Sequence, residues 1–333
     1  MRVHLIGQST GVGVSHDLSL MATALGECGC EVAVTALDPR EPRGRGFSLK
    51  EMGTRLRGAW PDAAGQDVAR SYDLTIMLEH LWPRFFGQAR RNVVVPNPEW
   101  FDRRDVRALA NVDRVWAKTG NTVRIFERYG SRVSRIGFDS QDHYDPAVAR
   151  EPIFFHLAGN SPMKGTARLV QLWRQHLEWP TLIVIEHLAD GSASPPSSEN
   201  VQVIPSYVDD ADLKQLQNRC LFHVCTSEAE GWGHYLVEAM SVGAVTITVD
   251  APPMNELVMG ERGVLVAYDR ILRQKLAERY LFDEQALTIA VEQALAMTPD
   301  EMAARGTAAR QWFLQNKAGF AGRISRALAE VGV

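Results

Sequence analysis

The stretch "LFHVCTSEAEGWGHYLVEAMSVGAVTITVD", Leu221 to Asp250, decides how the chain folds. It opens with "LFHVCTS" (221–227), a continuously apolar run of the kind that forms a parallel strand covered on both faces. A glycine-bearing turn, "EAEGWG" (228–233), leads into "HYLVEAMSVG" (234–243), a helix that stops at Gly243. On that helix Leu236, Val237 and Met240 suit the side that faces a sheet, while His234 and Glu238, four apart, share a face. A second apolar run, "AVTITVD" (244–250), completes a strand–helix–strand unit. Two carboxylates frame its turn, Glu230 in the loop and Glu238 on the helix.

The same alternation extends in both directions. Strands are expected at 3–7, 31–37, 73–79, 92–96, 114–119 and 133–137, and after an acidic, turn-rich stretch (138–152) at 153–159, 181–187, 201–205, 221–227, 244–250 and 263–268. Helices are expected near 16–28, 120–129, 164–176, 209–218 and 233–242. Repeated strand–helix–strand order with one restart implies an α/β protein of two doubly wound, Rossmann-like domains, 1–145 and 150–310. Beyond 268 the chain reads as mostly helical, with a capping-box start at Thr298, Pro299 and Glu301. In such folds ligands bind beyond the carboxyl ends of the strands.

Composition sets broad limits. With 333 residues, 45% of them apolar and 23% charged, the chain is an ordinary globular protein, and no apolar run reaches the length of a membrane helix. The start lacks a signal-peptide pattern, and Cys28, Cys30, Cys220 and Cys225 lack paired spacing, so a cytoplasmic protein with reduced thiols is expected. Residues 1–150 carry 21 Lys/Arg against 18 Asp/Glu, and the remainder 15 against 22. That asymmetry is small enough to be ordinary surface variation.

Three stretches carry chemistry. "GQSTGVGVSHD" (7–17) follows the first strand and opens a helix, and Gly11 and Gly13 allow close backbone approach by an anion. It lacks the GxGxxG dinucleotide pattern, and a glycine-rich turn that binds nothing is an equal reading. "LAGNSPMKGT" (157–166) places Lys164 at a helix start, in reach of a phosphate or simply in solvent. The opening stretch adds Glu230 and Glu238. Each acid alone reads as a loop or surface carboxylate, but the constellation reads as a ligand floor.

"EAEGWGHYLVEAMSVGAVTITVDAPPMNEL" resembles the E-x7-E segment of retaining glycosyltransferases of the GT-B fold, glycosyltransferase family 4. "TGVGVSHDLSLMATALGECGCEVAV" is similar to that family's first loop and helix, "VSRIGFDSQDHYDP" to its hinge strand, and "LAGNSPMKGT" to its phosphate loop. The resemblance implies a GT-B architecture, with the acceptor on the first domain, the donor on the second, and a C-terminal helix after about 310 packing back on the first. It implies that Glu238 binds the ribose of a nucleotide sugar, that Glu230 meets the donor sugar, and that Gly231, Trp232, Gly233 and His234 line the sugar and diphosphate pocket. Lys164 would neutralise the diphosphate, with no metal and no cofactor beyond the UDP- or GDP-sugar itself.

Two departures stand out. Asn160 occupies the place of the family's phosphate-loop arginine, with Arg168 as a candidate substitute, and Asn97 and Glu99 stand where a histidine is common. His80, ending "IMLEH", matches a histidine common one strand earlier. Glu230, His80 and Asn97 are thus the candidate catalytic residues. The expected function is retaining transfer of a sugar to a hydroxyl acceptor, in glycan or glycoconjugate assembly. A sugar-nucleotide epimerase and a non-catalytic sugar-nucleotide-binding module are the alternatives. The acceptor reads as a glycan or lipid-linked sugar, with a nucleic acid left open. "EHLWPRFFGQARR" (79–91) mixes aromatic and basic residues that suit peripheral membrane contact or an ordinary loop.

Overall fold

The structure, a computed structural model, describes residues 1–8, 12–38, 71–187 and 196–332, with the backbone alone for 12–15. It divides into two compact units, Met1–Asp139 with Ala318–Val333, and Ser140–Lys317.

The first unit runs β1 (Arg2–Gln8), α1 (Val12–Glu27), β2 (Glu31–Leu37), β3 (Tyr72–Glu79), β4 (Ala89–Pro96), β5 (Arg114–Ala117), α2 (Gly120–Glu127) and β6 (Val133–Arg135). Its six strands are all parallel in the order β2-β1-β3-β4-β5-β6. The apolar runs that predicted strands are buried, Val3, Leu5, Ile6, Ile76, Met77 and Val93–Val95 among them. Residues 318–331 belong to this unit because their apolar face completes its core. Ile324 and Phe320 are buried there, with the Phe320 and Phe138 rings 5.3 Å apart. Arg323 Nε also donates to the Ile136 carbonyl at 2.6 Å. The aromatics of 79–91 do not form an exposed platform: Trp82 is buried, and Phe85 packs edge-on to His4 at 5.5 Å.

The second unit runs β7 (Glu151–Gly159), α3 (Thr166–Trp173), β8 (Leu182–Glu186), β9 (Val201–Ile204), α4 (Asp210–Arg219), β10 (Cys220–Cys225), α5 (His234–Ser241), β11 (Val245–Val249), α6 (Met254–Leu257) and β12 (Gly263–Val266). These strands form a second parallel sheet, in the order β12-β11-β10-β7-β8-β9. Phe154 stacks on Phe222 at 4.6 Å and meets Trp173 at 4.8 Å, and all three are buried. Burying a side chain of this size stabilises the fold by roughly 1.5–3 kcal/mol.

The stretch after 268 departs from the helical expectation. It forms an antiparallel hairpin, β13 (Tyr268–Gln274) and β14 (Ala277–Phe282), before α7 (Glu284–Leu295) and α8 (Pro299–Val331). Charged residues interleave with apolar ones in "YDRILRQKLAERYLF", which masks the two-residue period. The turn uses Lys275 at φ 54°, and Ala277, Tyr280 and Phe282 point inward. Among the described residues no helix is long and apolar enough to cross a membrane.

Candidate active site

In each sheet the strand order reverses once, between β1 and β3 and between β7 and β10. Crossovers leave on opposite sides there, and in doubly wound sheets the crevice for ligands lies beyond the carboxyl ends at such a point. In the second unit the reversal brings together the loop after β7, with Asn160 and Lys164, and the loop after β10, with Glu230. The two loops are stitched to each other: Thr226 Oγ1 donates to the Lys164 carbonyl at 2.7 Å, and Glu228 N to the Met163 carbonyl at 2.9 Å.

Lys164 Nζ forms an ion pair with Glu230 Oε1, and Ser227 Oγ donates to the same oxygen. Tyr235 OH donates to Ser227 Oγ at 2.6 Å and accepts from Ser227 N at 3.0 Å. Burial raises the Tyr235 phenol well above its ordinary pKa, so it stays a neutral donor and the relay Tyr235–Ser227–Glu230 has one direction. Lys164 Nζ also sits 3.8 Å from the centroid of the Tyr235 ring, held over its negative face. The side chains of Lys164 and Glu230 are only 13% and 12% exposed, so each charge leans on the other for compensation. An anion entering here competes with Glu230 for the ammonium.

Two helices start at this point without side-chain caps. α3 begins at Gly165 (φ 67°) and α5 at Gly233 (φ 89°), and neither has an acidic residue in its first turn. Both glycines are required by conformation, and at Gly165 a backbone oxygen also leaves little space. A Cβ on Gly165 would lie 3.0 Å from the Thr226 carbonyl oxygen, and one on Gly233 would lie 2.9 Å from Leu236 Cδ1. A helix start bounded by glycine leaves its first-turn amides to whatever anion approaches, and two such starts with one lysine form a phosphate-type site.

Glu238, half-buried on α5, accepts from Gln217 Nε2 at 3.2 Å through Oε2. His234 Nδ1 lies 2.8 Å from Ser140 Oγ, which also accepts from Trp232 Nε1 at 3.1 Å. Gly231, Gly233 and Trp232 are buried, so Trp232 offers the crevice its backbone rather than its ring. Asn160 is exposed. Arg168 does not stand in for a phosphate-loop arginine: it is bound to Asp269 (3.0 Å), Glu284 (2.7 Å) and the Phe282 carbonyl (2.7 Å), tying α3 to the hairpin.

The first unit's reversal point differs in chemistry. Glu79 ends β3 at φ 61°, and His80 N bonds back to the Leu78 carbonyl at 2.7 Å, a γ-turn of the rare, strained hand. Asn97 Nδ2 donates to Glu79 Oε1 at 2.9 Å, and the buried His80 places Nε2 4.0 Å from Glu79 Oε2. His80 and Asn97 are therefore gathered around Glu79, which sequence reasoning did not single out. Gly11 lies outside the described residues, and Gly13 falls in the first turn of α1. Ser227 and Tyr235 were also missed, although "CTSEAEG" and the position after His234 placed them beside Glu230. Among the described residues no group of three or more His, Cys, Asp or Glu is arranged to hold a metal.

Residues 146–281 match the family model described as glycosyl transferases group 1. No curated protein sequence matches the chain. Among solved structures, Anabaena HepE in complex with UDP and glucose is 18% identical, with a TM-score of 0.68 over 99% of this chain and 100% of that one. A glycosyltransferase from Rickettsia africae ESF-5 is 12% identical, with a TM-score of 0.71 over 99% of this chain and 97% of that one. The pneumococcal O-GlcNAc transferase GtfA, in complex with UDP and GlcNAc, is 15% identical with a TM-score of 0.62. The match covers 86% of this chain, which spans 60% of the GtfA chain. The fold is thus that of the GT-B glycosyltransferases, two parallel-sheet Rossmann-like units, and the family model falls on the unit that carries the Lys164–Glu230 crevice.

Proposed function

We propose that the chain is a retaining glycosyltransferase that moves a sugar from a nucleoside diphosphate to a hydroxyl acceptor, in glycan or glycoconjugate assembly. The observation that carries this reading is the convergence of Lys164 and two uncapped helix starts at one reversal point, with Glu230 beside the lysine and Glu238 five residues into α5. A departing nucleoside diphosphate develops negative charge, and prearranged amides with an ammonium stabilise it without reorganisation. Glu230 meets the sugar, and its carboxylate favours the cationic character that grows at the anomeric carbon. Glu238 takes the ribose hydroxyls. The solved complexes of HepE with UDP and glucose and of GtfA with UDP and GlcNAc support a nucleotide-sugar donor. Because lysine and amides supply the positive charge, turnover is expected to persist in EDTA.

The test is turnover of a panel of UDP- and GDP-sugars with simple glycosides as acceptors, followed by NMR of the product anomer. Wild type is expected to release nucleoside diphosphate and keep the donor's anomeric configuration, and Glu230→Ala to lose about 100-fold in kcat. An inverted product would refute retention. Isomerised donor without transfer would point to an epimerase, and tight binding without turnover to a binding module.

A further inference from the structure

Beneath Glu238 lies a closed ring of hydrogen bonds that the donor reading above does not use. Gln217, near the end of α4, is 1% exposed, and its Nε2 donates to Glu238 Oε2 at 3.2 Å. His143 Nδ1 donates to Gln217 Oε1. His143 N donates to Ser241 Oγ at 3.2 Å, and Ser241 Oγ donates to the Glu238 carbonyl at 2.7 Å. The circuit His143–Gln217–Glu238–Ser241 therefore starts and ends on one residue.

Its directions follow from chemistry. An ionised carboxylate only accepts, so the Gln217 amide must turn its nitrogen to Glu238 and its oxygen to His143. That orientation in turn selects the His143 state with a proton on Nδ1. The neighbours hold the backbone that carries these side chains. Asn218 Nδ2 donates to the His143 carbonyl at 2.7 Å, its Oδ1 accepts from Asp145 N at 2.9 Å, and His223 Nε2 donates to the Gln217 carbonyl at 3.0 Å. His143 Nε2 lies 2.9 Å from Gln141 Oε1, so both ring nitrogens face amide oxygens. A buried, fully connected polar network of this kind costs desolvation energy wherever it occurs. Here its one outlet toward the crevice is a half-buried carboxylate.

We propose that Gln217 and His143 are positioning residues for the donor: they fix Glu238 Oε2 so that the carboxylate is presented to the ribose in one orientation. This rests on the assignment of Glu238 to the ribose. A glutamate side chain on a helix surface samples several rotamers, and holding it before the ligand arrives removes that entropy from binding. The effect is confined to the two ribose hydroxyls, which separates positioning from a general role in folding.

The test is isothermal titration calorimetry with UDP, GDP and their 2′,3′-dideoxy forms. Wild type is expected to bind one of the two ribonucleotides about tenfold more tightly than its dideoxy form. Gln217→Met, similar in volume but without the amide, should lose about tenfold for that ribonucleotide and nothing for the dideoxy form. In a Glu238→Ala background Gln217→Met should have no further effect. If Gln217→Met does not melt cooperatively, His143→Phe carries the same test, with a loss of about threefold restricted to the ribonucleotide. Equal losses for both nucleotides, or no loss for either, overturn the positioning role while leaving the donor site standing. If wild type binds neither UDP nor GDP, the donor reading fails and the inference falls with it.

Discussion

The two reversal points of this molecule share a topology and differ in chemistry. In the second unit the crevice carries a lysine over an aromatic face, two glycine-bounded helix starts and two carboxylates. In the first unit the described residues gather a carboxylate, an imidazole and a carboxamide around a strained turn. The former set suits a charged phosphate ester. The latter has the chemistry to meet neutral hydroxyl oxygens, since carboxylate, amide and imidazole each make directional hydrogen bonds. One topology thus carries different chemistry in the two units through the few residues at the carboxyl ends of the strands.

Acid should separate the units most strongly. His156 is fully buried between the Val224 carbonyl (Nδ1, 2.7 Å) and Thr166 Oγ1 (Nε2, 3.1 Å), and burial pushes its pKa down to about 4. His223, nearly as buried in the same sheet, is likewise pushed down to about 4. Both stay neutral in the fold while the unfolded chain takes up protons below about pH 6.5. Their stabilisation is therefore complete above pH 6.5 and is lost as pH falls toward 4, on the order of 3 kcal/mol for each. Thermal melts from pH 7.5 to 4.5 should show the second unit weakening steeply, and His223→Gln should flatten that slope. An unchanged slope in the variant would mean that the imidazole is not the titrating group.

A smaller effect sharpens the contrast from the other side. Because the turn at Glu79 is strained, Glu79→Gly should be more stable than Glu79→Ala by about 1 kcal/mol, the reverse of the usual order within a strand. Both variants should bind nucleoside diphosphate like wild type, because the change lies in the first unit. Urea melts and donor titrations check the two halves of this statement. Greater stability in Glu79→Ala would show that the turn is not strained.

Much of the architecture was legible because parallel strands buried on both faces read as unbroken apolar runs, such as "LFHVC" and "VTITV". Lys164 and Glu230 stood out as neighbours of glycine-bounded helix starts, which leave a local mark in sequence, whereas the role expected for Glu238 came from the family resemblance. The hairpin over 268–282 was not, since its turn depends on a lysine in a conformation that lysine seldom adopts. Glu79 was hidden for the same reason: nothing in "IMLEH" announces a positive φ. His143 and Gln217 meet across 74 positions, a separation over which no local pattern operates. The aromatic stretch 79–91 left membrane contact and an ordinary loop both open, because composition does not say which side of a ring faces the core.

The central claim is that the Lys164–Glu230 crevice holds the diphosphate of a nucleotide donor. Calorimetric titration of wild type and Lys164→Ala with UDP, GDP, UMP, GMP and the bare nucleosides tests it directly. The account predicts that wild type prefers one diphosphate over its monophosphate by at least about tenfold, and that Lys164→Ala removes that preference while leaving nucleoside binding unchanged. Equal affinity for diphosphate and nucleoside in wild type, or a preference that survives Lys164→Ala, would contradict it.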